Sequence, residues 1–224
     1  MKLEEVLDQL RQLGDNSSLP GMARYGIVVD KALGIRMPIL RALAKSIRKD
    51  HDLALELWNT GIHEARLLAV FVADKKQVTE DMMEAWVKDF NSWDICDQAC
   101  SGLLDKTRWA YDKAIEWTSR TGEFEKRAGF VMMACLAVHD KKAPDEKFIQ
   151  FFPLIEQHAD DDRNFVKKAV NWALRQIGKR NKNLNNLAIQ TASHILQKNS
   201  KSARWIAADA LRELSKHQER FIAQ

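Results

Sequence analysis

Cysteine is scarce in this sequence. Cys96, Cys100 and Cys135 are the only three in 224 residues, an odd number in apolar helical surroundings, so no disulfide framework is available. A reducing, cytoplasmic setting is the expectation. With nine glycines and four prolines against 46% hydrophobic and 29% charged residues, the chain is neither collagen-like nor disordered, and its composition is that of an ordered, mostly helical protein. No apolar run approaches the roughly 18 residues a membrane span needs. The opening "MKLEEVLDQLRQLG" sets glutamates inside an amphipathic pattern and is not an export signal. Glycine-rich phosphate loops, a G-x-S-x-G elbow and Cys/His pairs at useful spacing are all missing, so nucleotide hydrolysis and acyl transfer lose support.

Acidic residues are nearly missing from one stretch. Residues 163–216 hold 12 Lys or Arg against two acids, Asp209 and Glu213, which leaves 23 basic and 29 acidic residues elsewhere. That quarter is therefore about +10 and the remainder about −6, an electrostatic footprint for a polyanion. A solvated charged face is the competing reading.

What is present almost throughout is apolar spacing of three and four, with no sustained strand alternation. The pattern predicts an all-α chain with helices near 2–13, 22–32, 37–48, 51–58, 62–73, 79–89, 92–104, 108–119, 122–138, 145–157, 162–178, 184–197 and 201–214. Short Gly, Pro, Asn and Ser stops separate them, without a long linker, so residues 1–224 read as one domain. The second members of successive helical pairs resemble one another. With Arg66, Asp97, Arg127, Lys168 and Arg204 as markers, the steps are 31, 30, 41 and 36 residues, within the loose range of helical-pair repeats. The expected architecture is a curved α-solenoid of HEAT-like antiparallel helical pairs, whose concave face suits a long ligand.

On a helical wheel, Ile95, Cys96, Ala99, Cys100 and Leu103 form a buried stripe, Asp94, Gln98, Ser101 and Asp105 face water, and Trp93 and Asp97 fall together on the border. The cysteines then act as small hydrophobes, and C-x-x-x-C without a second ligand pair argues against zinc. "HEARL" likewise lacks the second histidine of a zinc-protease helix. On 162–178, Phe165, Lys168, Trp172, Arg175, Gln176 and Lys179 lie on or near one side, opposite Val166, Ala169, Val170, Ala173 and Ile177. Lys201, Trp205, Arg212 and Lys216 repeat the pattern on the last helix, opposite Ile206, Ala210 and Leu214. Basic residues interleaved with aromatics suit phosphate contact and stacking; a stripe that only solubilises the helix is the alternative. The segment 122–138 is apolar nearly all round, which places it centrally, and Arg127 near its start opposes the helix dipole unless an anion is its partner.

The ordered set "GIRMPILRALAK", "IHEARLLA", "WDICD", "KRAGF", "FVKKAVNWALRQIGK" and "ARWIAADALREL" resembles the HEAT-like-repeat DNA glycosylases of the DNA alkylation repair family, over nearly the whole chain. The resemblance implies a protein that holds duplex DNA with alkylated bases and releases cationic purines of the 7-methylguanine and 3-methyladenine type, with no metal; no cofactor and a monomeric chain are the further expectations. Residue by residue it gives Trp93 and Asp97 for the family's W-x-x-x-D, Arg127 for its arginine and Trp172 for its last tryptophan. The basic quarter adds Lys168, Arg175, Lys179, Arg180, Lys201, Arg204, Trp205 and Arg212 as DNA contacts. The segment before "GI" departs from the family's aromatic-rich pattern, since "ARYGIVVDKALGIRMP" has Tyr25 alone. The other reading is a non-catalytic helical-repeat module for damaged or branched DNA.

Overall fold

The computed structural model describes residues 1–222, with side chains through residue 219. These residues form fourteen α-helices and three short 3-10 turns, and no strand occurs among them. They divide into two compact units, Met1–Thr107 and the residues from Arg108 on. The first holds α1 (Leu3–Leu13), α2 (Leu19–Arg24), α3 (Met37–Ile47), α4 (His51–Asn59), α5 (His63–Val72), α6 (Glu80–Lys88) and α7 (Trp93–Gly102). The second holds α8 (Ala110–Glu116), α9 (Glu123–His139), α10 (Glu146–Ile149), α11 (Phe152–Gln157), α12 (Asn164–Gly178), α13 (Lys182–Leu196) and α14 (Lys201–Ile222). No helix among the described residues is long and apolar enough to cross a membrane.

Within the first unit α5 is the central helix, packed against α3, α4 and α7. Its stripe is broad enough for that: Ala65 and every residue from Leu67 to Val70 are buried. Between α4 and α6, Trp58 and Trp86 stack with ring centroids 3.9 Å apart and planes 2° from parallel. Within the second unit, α9 and α12 take the central places, α9 against α8 and α12 against α9, α13 and α14. Arg127 through Ala137 are buried without interruption, as a helix apolar on all sides requires. Polar caps start several helices. The Asp50, Thr79 and Asn181 side chains accept from the backbone N–H of Leu53 (3.1 Å), Met82 (3.1 Å) and Leu184 (2.9 Å).

Three expected helices are corrected. The segment 22–32 is not one helix: α2 starts early, with Pro20 in its first turn, and ends at Arg24. Gly26 follows at φ 78°, a left-handed stop, and Ile27, Val28 and Val29 favour extended backbone. The segment 145–157 is split into α10 and α11 because Pro153, in the first turn of α11, has no N–H to offer Ile149 and its ring would clash there. The last helix runs on to Ile222 rather than ending near 214.

Arg48, after α3, has φ 70° and ψ −159°, a region that glycine alone occupies without strain of about 1–3 kcal/mol. Glycine's unfolded-state entropy returns roughly 0.5–1 kcal/mol of that. Arg48→Gly is therefore expected to stabilise the protein by about 1 kcal/mol, read as a higher urea midpoint at unchanged slope. A lower midpoint would show that the arginine side chain contributes more than its backbone costs.

Candidate functional site

The chain turns into α7 at Ser92, whose extended backbone (φ −151°, ψ 155°) releases the helix at Trp93. Trp93 and Asp97 sit one turn apart on the same side, and both are half-buried, while Ile95, Cys96, Ala99 and Cys100 are buried on the other side. The indole N–H of Trp93 donates to the Tyr25 carbonyl at 3.0 Å, which fixes the ring's edge and leaves its orientation set by the loop after α2. The side chain of Ser101 donates to the Asp97 backbone carbonyl at 2.7 Å. Tyr25 itself is 72% exposed.

Asp94 and Asp105 are corrections, since neither faces water. Asp94 is buried, 9% exposed, and Oδ2 lies 2.8 Å from Nε2 of the buried His63. With the His63 Nε2–H donating there, Nδ1 is left as a buried acceptor with no hydrogen-bond partner. A wheel drawn for α7 alone misses this because His63 comes from α5, which packs beside it. Asp105 lies past the real end of the helix, in a 3-10 turn at Leu104–Lys106, so continuing the 100° period to it gives the wrong face. One of its partners is the ammonium of Lys106, at 3.1 Å.

Sequence reasoning gave Glu64 no role. It is fully buried in the first turn of α5. Oε2 accepts from the N–H of Leu33 (2.7 Å), and Oε1 from those of Gly34 (2.7 Å) and Ile35 (3.2 Å). Gly34 is required at the centre of this clasp: its φ is 76°, and a Cβ there would stand 2.1 Å from the Asp15 carbonyl oxygen. The Lys31 carbonyl accepts from the His63 N–H at 2.9 Å. The first turn of α5 thus holds the segment 31–35, and the loop before it reaches Trp93 through Tyr25. A signal was available: Glu64 and Asp94 are both second residues of their helices, one repeat apart, where a carboxylate is favoured by the helix dipole.

In the second unit, Arg127 is buried and its Nη1 donates to the Phe165 carbonyl at 2.6 Å. That bond ties α9 to the first turn of α12, where the Phe165 N–H also donates to Glu123 Oε1 at 3.3 Å. Trp172 is half-buried on the outer side of α12. In the amide orientation that satisfies its neighbours, Gln176 Oε1 accepts from the Trp172 indole N–H (2.9 Å) and from Lys179 Nζ (3.3 Å). Both tryptophans therefore have their N–H edge engaged, which leaves the ring faces for contact.

The expected basic stripe lies on α12 and α14, but its members are not equivalent. Lys168, Lys201, Arg204, Trp205 and Arg212 are exposed, and the Lys167 ammonium stands 5.3 Å from the Trp205 ring centroid. Arg175 and Lys179 are half-buried and pair with Glu213, the latter at 2.7 Å, and Arg175 also lies 3.6 Å from Asp209. Arg212 pairs with Asp209 as well. The two acids of this region are thus both matched to cations. Arg180 stands over the Phe148 ring at 3.9 Å and donates to the carbonyls of Ala137 (2.6 Å) and Ala143 (3.2 Å), holding the end of α9 and the following loop.

Burial alone would raise the Glu213 carboxyl, but the Lys179 hydrogen bond and the Arg175 charge outweigh it and hold the group below its ordinary value of 4.5. A carboxylate depressed on folding contributes stability above its unfolded pKa and loses it as pH falls through the lower folded one. Glu213→Gln is expected to cost about 1 kcal/mol near neutrality, allowing for solvent screening. The gap should close as thermal melts are taken to pH values below 4.5; a constant gap would assign it to packing.

The family model described as DNA alkylation repair enzyme matches residues 6–214. The curated proteins give no match. One solved structure, described as "A new family of proteins related to the HEAT-like repeat DNA glycosylases with affinity for branched DNA structures", aligns with a TM-score of 0.80 at 20% identity, over 97% of this chain and 96% of that one. At that identity the likeness is one of fold, an all-helical HEAT-like repeat. A designed armadillo repeat protein aligns at 14% identity over 88% of this chain and 99% of its own, and its TM-score of 0.36 carries no argument.

Proposed function

We propose that this chain, which belongs to the DNA alkylation repair enzyme family, is a DNA glycosylase that hydrolyses the N-glycosidic bond of cationic alkylated purines in duplex DNA. The observation that carries the reading is α7, where Trp93, its indole edge held by the Tyr25 carbonyl, stands one turn from the half-buried carboxylate of Asp97. An alkylated purine such as 7-methylguanine already bears positive charge, so it leaves without being protonated. Charge develops instead on the sugar, as an oxocarbenium ion. In this mechanism Asp97 stabilises that cation and orients the attacking water, and the ring face of Trp93 favours the cationic nucleoside; the resemblance to the glycosylases gives Trp172 the same kind of role. Arg127 is a positioning residue that holds the first turn of α12, the helix that carries Trp172. Lys168, Arg175, Lys179, Arg180, Lys201, Arg204, Trp205 and Arg212 are proposed to meet the DNA. The exposed members among them supply most of the salt-sensitive affinity.

A second reading has its own support: the protein of similar fold is described as having affinity for branched DNA. A binding module on this fold predicts salt-dependent association with a junction and no base loss. Incubating the wild-type chain with a methylated duplex and measuring released 7-methylguanine separates the two. Release above the spontaneous rate supports the glycosylase, and its absence with a well-folded protein that still binds a four-way junction supports the binding module.

A further inference from the structure

The first unit carries a groove of about 550 Å³ lined by Arg41, Ala44, Lys45, Arg48, Lys49 and Phe71, none of which has a part in the proposed reaction. It is an open groove rather than an enclosed cavity. Ala44 is buried and Phe71 half-buried, while the four cations are exposed. The Arg41 guanidinium stands 5.7 Å from the Phe71 ring centroid. Lys49 Nζ donates to the Phe71 and Ala73 carbonyls at 2.9 and 2.8 Å, which fixes one wall at the end of α5. The sequence isolates this patch: residues 36–49 hold five cations and no acid.

We propose that this groove docks an acidic peptide segment that carries an aromatic or bulky aliphatic anchor, the anchor against Ala44 and Phe71 and the carboxylates on Arg41, Lys45 and Arg48. Two observations favour such a partner. The first is complementarity: an apolar lining edged by cations matches an apolar side chain flanked by acids, whereas phosphate groups would pair with the cations and leave the Phe71 ring uncovered. The second is Arg48, kept in a backbone region where glycine is the unstrained choice. Glycine is the residue expected to suit that backbone, and the arginine supplies a charge at the groove.

The test is fluorescence anisotropy of the full chain with a fluorescein-labelled peptide of consecutive aspartates ending in phenylalanine. The control peptide ends in alanine. The phenylalanine peptide is expected to bind, and the alanine peptide to bind at least about tenfold more weakly. Arg48→Gly should weaken binding several-fold without lowering the melting temperature, and Arg41→Glu with Lys45→Glu should abolish it while affinity for duplex DNA is unchanged. The proposal is overturned if the phenylalanine peptide does not bind or if both peptides bind equally, which would be charge alone. A loss of duplex affinity in the doubly substituted variant would also overturn it, by making the patch a nucleic-acid contact.

Discussion

Asp97→Asn is expected to slow release of 7-methylguanine by about 10²–10³-fold, or roughly 3–4 kcal/mol of transition-state stabilisation. The substitution keeps shape and removes charge. An amide cannot stabilise an oxocarbenium ion as a carboxylate does, nor draw a proton from the attacking water. Asp97 is half-buried at the border of α7, so the melting temperature should move by less than about 4 °C. Asp94→Asn is the matched control on the same helix. It disturbs a buried pair with His63 at 2.8 Å and should reduce stability more and the rate per folded molecule less. The assay is single-turnover release from a methylated duplex, with binding measured separately. Unchanged release in Asp97→Asn would remove the carboxylate from the mechanism, and the reverse ranking of the two variants would exchange their roles.

The second large effect is on folding. Glu64→Ala should cost about 3–5 kcal/mol, because it strands the N–H groups of Leu33, Gly34 and Ile35 that now share one buried carboxylate. For a chain of this size that corresponds to a fall of about 6–20 °C in melting temperature. Glu64→Gln should lie between the two, at roughly 2 kcal/mol: its oxygen can still receive Gly34 and Ile35, but its NH₂ then opposes the Leu33 N–H. Urea denaturation of the three proteins gives the order. A loss below about 1 kcal/mol in Glu64→Ala would mean that water replaces the carboxylate without difficulty. The same variant should lose glycosylase rate, since the loop freed from Glu64 is continuous with the residue that holds the Trp93 indole.

The helical architecture was legible because burial of one stripe per helix leaves its period in the sequence. Val166, Ala169, Val170, Ala173 and Ile177 are buried as the wheel of α12 requires, and Lys168 is exposed opposite them. The wheel of α7 likewise placed Trp93 and Asp97 on the border. It failed where a second helix supplies the environment: an isolated helix cannot show that Asp94 is covered by α5 or that Glu64 reaches back to residues 33–35. It failed again where the period was carried past the helix end, to Asp105. The segment 22–32 was misread for a different reason: the apolar spacing runs on across Gly26, whose φ of 78° stops the helix before Ile27, Val28 and Val29. Among the cations, composition counted Arg175, Lys179 and Arg180 with the rest. Partnership with Glu213 and with backbone carbonyls separates them from Lys168, Lys201 and Arg204.

Several bonds between successive helices of a unit end on the main chain rather than on a side chain. Glu64 grips three peptide N–H groups, Arg127 and Glu123 grip the peptide groups of Phe165, and Arg163 reaches the Thr121 carbonyl at 2.7 Å. A peptide group offers the same donor and acceptor whatever residue it belongs to. The receiving loops can therefore exchange almost any amino acid without loosening the grip, provided the backbone path is kept. Only the reaching side chain and the occasional glycine are constrained. A scaffold fastened in this way can drift far in sequence while its outline stays put, which leaves the outward-facing positions open to new ligands.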